Sequence, residues 1–139
     1  MQLTDEMARL FANLGRALSK RAHQGMDHQD FSTLATLASG ACSNGTRLSD
    51  LAAMRGFDAS TMSRRVAHLC DGGLMERHPD PQDGRAQLLS ITGEGRRALT
   101  EERSRRVHLI TESLGEWTPD EKSELARLLS RLNDSLENA

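Results

Sequence analysis

The stretch 59–91, ASTMSRRVAHLCDGGLMERHPDPQDGRAQLLSI, changes character twice along its length. Its first part has helical spacing. Plotted at about 100° per residue, Arg64, Arg65 and His68 fall within about 60° of Thr61, while Met62, Val66, Leu69 and Cys70 gather on the other side. One face packs and the other reaches out. DGG at 71–73 then ends the helix, and two apolar runs follow, GLM and AQLLSI, on either side of the polar nonapeptide RHPDPQDGR (77–85). GLMERH and RAQLLSI read as two short strands, and the nonapeptide, with two prolines and Asp83-Gly84, reads as the hairpin loop between them.

Upstream, LSDLAAM and the glycine-containing turn RGFD complete a pair of short helices, about Leu48 to Met54 and Ala59 to Asp71, in helix-turn-helix form. Gly56 is placed to end the first and Asp58 to cap the second. An outward face with two arginines, a hydroxyl and a histidine, led by Ser60 and Ser63 near a helix N-terminus, suits phosphates and base edges in a major groove. A hairpin after such a helix is a wing, and its tip need not pack against anything. Arg85, with Arg77 at the other end, can enter a narrow A·T-rich minor groove. Asp83 is placed to hold and aim the Arg85 guanidinium.

Outward from this centre the chain reads as helix. Met7, Leu10, Phe11, Leu14 and Leu18 give a first helix from about Thr4 to Ala22, followed by a loop at GMDHQD. Phe31, Leu34, Ala35, Leu37 and Ala38 give a second helix ending near Gly40. Thr92 can cap a long helix reaching about Leu114, charged in its early turns and apolar at Val107, Ile110 and Leu114. TPDE (118–121) is a capping box with proline at the first helical position. The helix it opens carries Leu125, Leu128, Leu129, Leu132 and Leu136 on one face. The first, fifth and sixth helices are material for a helical interface.

Composition sets the limits. A chain of 139 residues is one domain's worth, able to bury roughly two thirds of its unfolded surface without staples. MQLTDEMARLF has acids where a signal peptide would be basic, and no apolar run approaches the ~20 residues of a membrane span. A soluble, cytoplasmic protein is expected. Cys42 and Cys70 are too few for a disulfide framework and read as reduced thiols. Cys70 reads as a small buried hydrophobe, with oxidation the sharper alternative. The net charge of −2 creates no global field for nucleic acid. From Arg47 to Arg106, however, there are 11 Arg, no Lys and 9 acids, so the middle is locally basic, and only through arginine. Arginine's planar donor fork suits phosphate and guanine. No cofactor and no metal are expected: His23, Asp27, His28 and Asp30 could be read as ligands, but a solvated loop is preferred, since the spacing fixes no geometry. No catalytic spacing is present, so an enzyme is not expected.

DGRAQLLSITGEG (83–95) resembles the wing signature of the multiple antibiotic resistance regulator (MarR) family, Asp-x-Arg, an apolar strand, then Thr-x-x-Gly. LSDLAAMRGFDASTMSRRVAHLCDGGLMER (48–77) is similar to the family's helix-turn-helix and first wing strand. The resemblance covers about Leu10 to Leu132. It implies a mainly α, winged helix-turn-helix fold with a two-stranded β wing and long N- and C-terminal dimerisation helices. It places dimerisation helices at about 1–30 and 98–139 and the winged helix-turn-helix at about 31–97. It further implies a sequence-specific regulator of transcription, a repressor, that binds a palindromic operator in double-stranded DNA as a homodimer and is released by a small-molecule or oxidant effector. Asp83 and Arg85 match the wing pair, and Ser60, Thr61, Ser63, Arg64, Arg65 and His68 the reading helix. Gly84 stands where the family often carries a basic residue, and the few aromatics, Trp117, Phe11, Phe31 and Phe57, argue against an aromatic-lined pocket. The alternative is a helical, dimeric interaction or sensor protein without specific DNA binding, which would keep the terminal helices but have no need of Arg64, Arg65 and Arg85 displayed together.

Overall fold

In the computed structural model, residues 2–20, 26–39 and 44–139 are described. Ala22, His23, Gly40 and Cys42, on which the sequence reading also touched, lie outside them. The element order is α1 (Gln2–Lys20), α2 (His28–Ala38), α3 (Leu48–Arg55), α4 (Ala59–Asp71), β1 (Met75–Asp80), β2 (Asp83–Ile91), α5 (Gly93–Ser113) and α6 (Pro119–Glu137). The chain forms two units, Met1–Arg103 and Ser104–Ala139, with the boundary inside α5.

The first unit holds the core. Leu34 and Leu37 of α2, Leu51 of α3, Met62, Val66 and Leu69 of α4, Met75, Leu89 and Ile91 of the hairpin and Leu99 of α5 are all buried and form one cluster. The packed side of α4 is the one its periodicity marked out. α3 ends at Gly56, whose φ of +69° provides the left-handed cap, and the Gly56 N–H reaches back to Ala52 and Ala53 carbonyls. β1 and β2 pair antiparallel, Met75 opposite Ile91 through Pro79 opposite Gln87. Thr46 adds a one-residue bridge on the far side of β2, exchanging both backbone hydrogen bonds with Leu89 at 3.0 and 2.7 Å.

Two expectations need correction. GMDHQD is not all loop: α2 starts at His28 because Asp27 caps it, accepting the Asp30 N–H at 2.7 Å. Nor is the nonapeptide all loop, since β1 runs to Asp80 and β2 starts at Asp83, leaving only Pro81 and Gln82 as the turn. Proline sets φ for the second turn position, and the Asp80 side chain accepts the Gln82 N–H at 2.9 Å, an Asx-type closure. A register break after Pro79 makes room: Asp80 pairs with Asp83, and residues 84–86 have no partner on β1.

The second unit comprises the end of α5 and α6. The capping box at Thr118 is present in both directions, Thr118 N–H to Glu121 Oε2 at 2.8 Å and Glu121 N–H to Thr118 Oγ1 at 3.2 Å. Leu128, Leu129, Leu132 and Leu136 on α6 and Val107 and Ile110 on α5 are exposed in the single chain, and in the first unit so are Leu3, Leu10 and Phe11 on α1.

Candidate nucleic-acid interface

The N-terminus of α4 is built by Asp58. Its Oδ1 accepts the Thr61 N–H at 2.7 Å and the Ser60 hydroxyl at 2.8 Å. The Thr61 N–H, then the Ser60 and Thr61 hydroxyls, hold the Asp58 carboxyl down at about 2. A depressed carboxyl stabilises the fold in full above its ordinary value of 3.8, and the contribution is lost as pH falls through about 2. Asp58→Asn keeps a capping side chain but cannot titrate. Thermal melts of this variant between those two pH values should lose less stability than the unaltered chain; parallel losses would show that Asp58 does not carry this acid sensitivity.

Beyond the cap, Ser63, Arg64 and His68 are exposed and Thr61 is half-buried. Arg65 departs from the expected outward face. Its side chain is 24% exposed, and Nη1 donates to Asp30 Oδ1 at 2.6 Å and to Asp27 Oδ1 at 3.4 Å. Its buried Nε has no hydrogen-bond partner. On the helical wheel Arg65 borders Leu69 and Met62, so it lies at the edge of the packed face. Asp30, 8% exposed, draws it inward, and Asp30 Oδ2 also lies 3.4 Å from Nε2 of His68, whose side chain is 73% exposed. The structure thus uses Arg65 to seat α4 on α2. It also overturns the solvated-loop reading of GMDHQD, where Asp27 is a cap and Asp30 a buried ion partner.

On the wing, Arg77, Asp83 and Arg85 are exposed. Asp83 does not hold the Arg85 guanidinium as expected: its Oδ1 accepts the Arg85 backbone N–H at 3.1 Å, the Asx-type contact that a short carboxylate makes with the backbone two residues on. The carboxylate's other oxygen lies 3.9 Å from Arg47 Nη2. Arg47 and Asp80 are the site residues the sequence reading missed. Arg47 donates to Asp80 Oδ2 from Nη2 at 2.8 Å and from Nε at 3.3 Å. The Gln82 N–H and the Arg47 guanidinium lower the Asp80 carboxyl, and Asp80 in turn raises Arg47. An arginine at a helix N-cap, where small polar residues are favoured, was the available signal.

Cys70 is half-buried against the core, and burial pushes its thiol up while Arg77 opposes the shift. The thiolate needed for easy oxidation is therefore disfavoured. Among the described residues, no three His, Cys, Asp or Glu side chains are grouped to hold a metal ion, and no helix is long and apolar enough to cross a membrane.

A helix-turn-helix followed directly by a two-stranded wing defines the winged helix-turn-helix class. A sequence model of the MarR family matches residues 24–86. The helix-turn-helix-type transcriptional regulator ML2140 of Mycobacterium leprae is 30% identical over 129 residues, 86% of this chain and 87% of that protein. YxaD of Bacillus subtilis, a regulator of the same type, is 37% identical over 87 residues, 63% of this chain and 61% of YxaD. The chain spans about three fifths of the length of YxaD. An S. aureus MepR mutant bound to an oligodeoxyribonucleotide superposes with a TM-score of 0.73 at 17% identity, over 98% of this chain and 99% of that one, a likeness of fold. The chain belongs to the MarR family, whose members are non-enzymatic regulators of transcription.

Proposed function

We propose that this protein is a sequence-specific regulator of transcription, a repressor, that binds a palindromic operator in double-stranded DNA as a homodimer and is released by an effector. The observation that carries the reading is the exposed row Ser63, Arg64 and His68 on α4, beside a wing that exposes Arg77 and Arg85. In it Arg64 reads a base edge in the major groove, and Ser60, Thr61 and Ser63 meet phosphates at the helix N-terminus. His68 lies further along the same face. Arg65 enters as the residue that seats α4, and Asp83 as one that shapes the wing. Residues about 31–97 form the DNA-reading part. The helices at about 1–30 and 98–139 form the dimer, their exposed apolar side chains covered by a second copy. The MepR likeness supports the DNA partner, because that MepR mutant is bound to an oligodeoxyribonucleotide. With DNA as its partner, the protein acts in the cytoplasm in this reading.

Arg64→Ala is expected to cost about 1–3 kcal/mol on the preferred duplex and to relax base preference at one position per half-site. Competition binding against single-base operator variants measures both, and an unchanged preference removes Arg64 from the reading face. Arg85→Ala should weaken binding most where the flank is A·T-rich. Equal loss on all flanks makes Arg85 a phosphate contact. Neither change should alter the elution volume of the dimer on a sizing column.

A further inference from the structure

Arg47 sits at the N-cap of α3 with no side-chain bond to that helix. A cation there faces the positive pole of the helix, so local helix chemistry does not account for it. Its guanidinium spans 33 residues of sequence to the wing tip and clamps Asp80 Oδ2, with Asp83 close by. The other Asp80 oxygen closes the Pro81–Gln82 turn, and Asp83 fixes the Arg85 N–H. The β1–β2 pairing is irregular in this region, with residues 84–86 unpaired on β1. Side chains therefore hold the tip, and among the described residues Arg47 ties it to the helix-turn-helix. Charge points the same way: Arg77, Asp80, Asp83 and Arg85 cancel formally, and Arg47 makes the tip positive.

We propose that Arg47 is the positioning residue of the wing: by clamping Asp80 it fixes the tip at the height from which Arg85 reaches the minor groove, and it neutralises carboxylates that would otherwise face phosphates. The proposal rests on the DNA reading above. Two measurements separate them, each made on the full chain and on Arg47→Gln, Arg47→Lys and Asp80→Asn.

In the DNA-free protein, amide exchange at Gln82 and Arg85 should be about tenfold faster in Arg47→Gln and Asp80→Asn, and partly restored in Arg47→Lys. On duplexes differing only in flanks, both neutral variants should lose the preference for A·T-rich flanks down to the level of Arg85→Ala. Unchanged exchange in Arg47→Gln overturns the brace. So does an equal loss on all flanks confined to Arg47→Gln with a salt slope lower by about 0.9, which marks a direct phosphate contact. If the unaltered chain retains no duplex or shows no flank preference, the DNA reading of the wing falls, and the exchange result alone decides the brace.

Discussion

Gly95→Ala should lower stability by about 3 kcal/mol, toward the upper end of overpacking costs, and the melting temperature by about 10 °C. A Cβ built on Gly95 falls 2.1 Å from the Leu74 carbonyl oxygen, 2.7 Å from Ile91 Cγ1 and 3.0 Å from the Leu74 carbonyl carbon. Backbone cannot turn aside as a flexible side chain can, so α5 must shift. That shift works against the joint between wing and helix, where the Thr92 N–H donates to the Leu74 carbonyl at 3.1 Å. There too the Thr92 hydroxyl donates to the Gly73 carbonyl at 2.6 Å and accepts the Gly95 N–H at 2.9 Å. Gly93→Ala is the matched control, with nothing within 4 Å of its Cβ. Its effect should stay within about 0.5 kcal/mol. Chemical denaturation of the two variants measures the difference, and equal midpoints would show that α5 has room to move off the hairpin.

The second large effect is expected at Asp30. Asp30→Ala removes the carboxylate that takes Arg65 Nη1 at 2.6 Å. What remains for Arg65 is Asp27 at 3.4 Å, with Nε already unpartnered. Leaving a charge unpaired in a buried site costs about 3–5 kcal/mol, and because Arg65 keeps 24% of its side chain exposed, about 2–3 kcal/mol is expected. Asp30→Leu combined with Arg65→Met should recover most of that loss, since apolar replacement of both partners removes the unpaired charge. The pair also decides what Arg65 does. If Arg65 seats α4, the double variant regains both stability and operator affinity. If Arg65 reads a base, stability returns and affinity does not.

These two sites show where the sequence was legible. α4 was readable to the residue because its signals are local: Asp58 caps it by accepting the N–H of Thr61, three positions along, and its apolar side repeats at helical spacing. The same holds for α6, whose capping box lies within four residues. The wing hairpin was readable in kind, but its strands ran further into polar sequence than expected, because an exposed hairpin demands pairing rather than apolar side chains at its end. What the sequence hid was long-range. Arg65 pairs with Asp30 across 35 positions and Arg47 with Asp80 across 33. A helical wheel assigns a side chain to a face without showing what waits there, so two arginines one step apart on α4 looked alike until Asp30 separated them. Gly95 was part of the recognised Thr-x-x-Gly pattern, yet its necessity comes from the Leu74 carbonyl, which only the folded chain brings near.

The central claim, that α4 and the wing read DNA sequence in a dimer, is tested most directly by selection from a random duplex library with the purified protein at near-physiological salt. Sequencing of the retained fraction should yield a palindrome with half-sites about one helical turn apart. Retention without sequence enrichment, or no retention by the ligand-free, reduced protein, would contradict it.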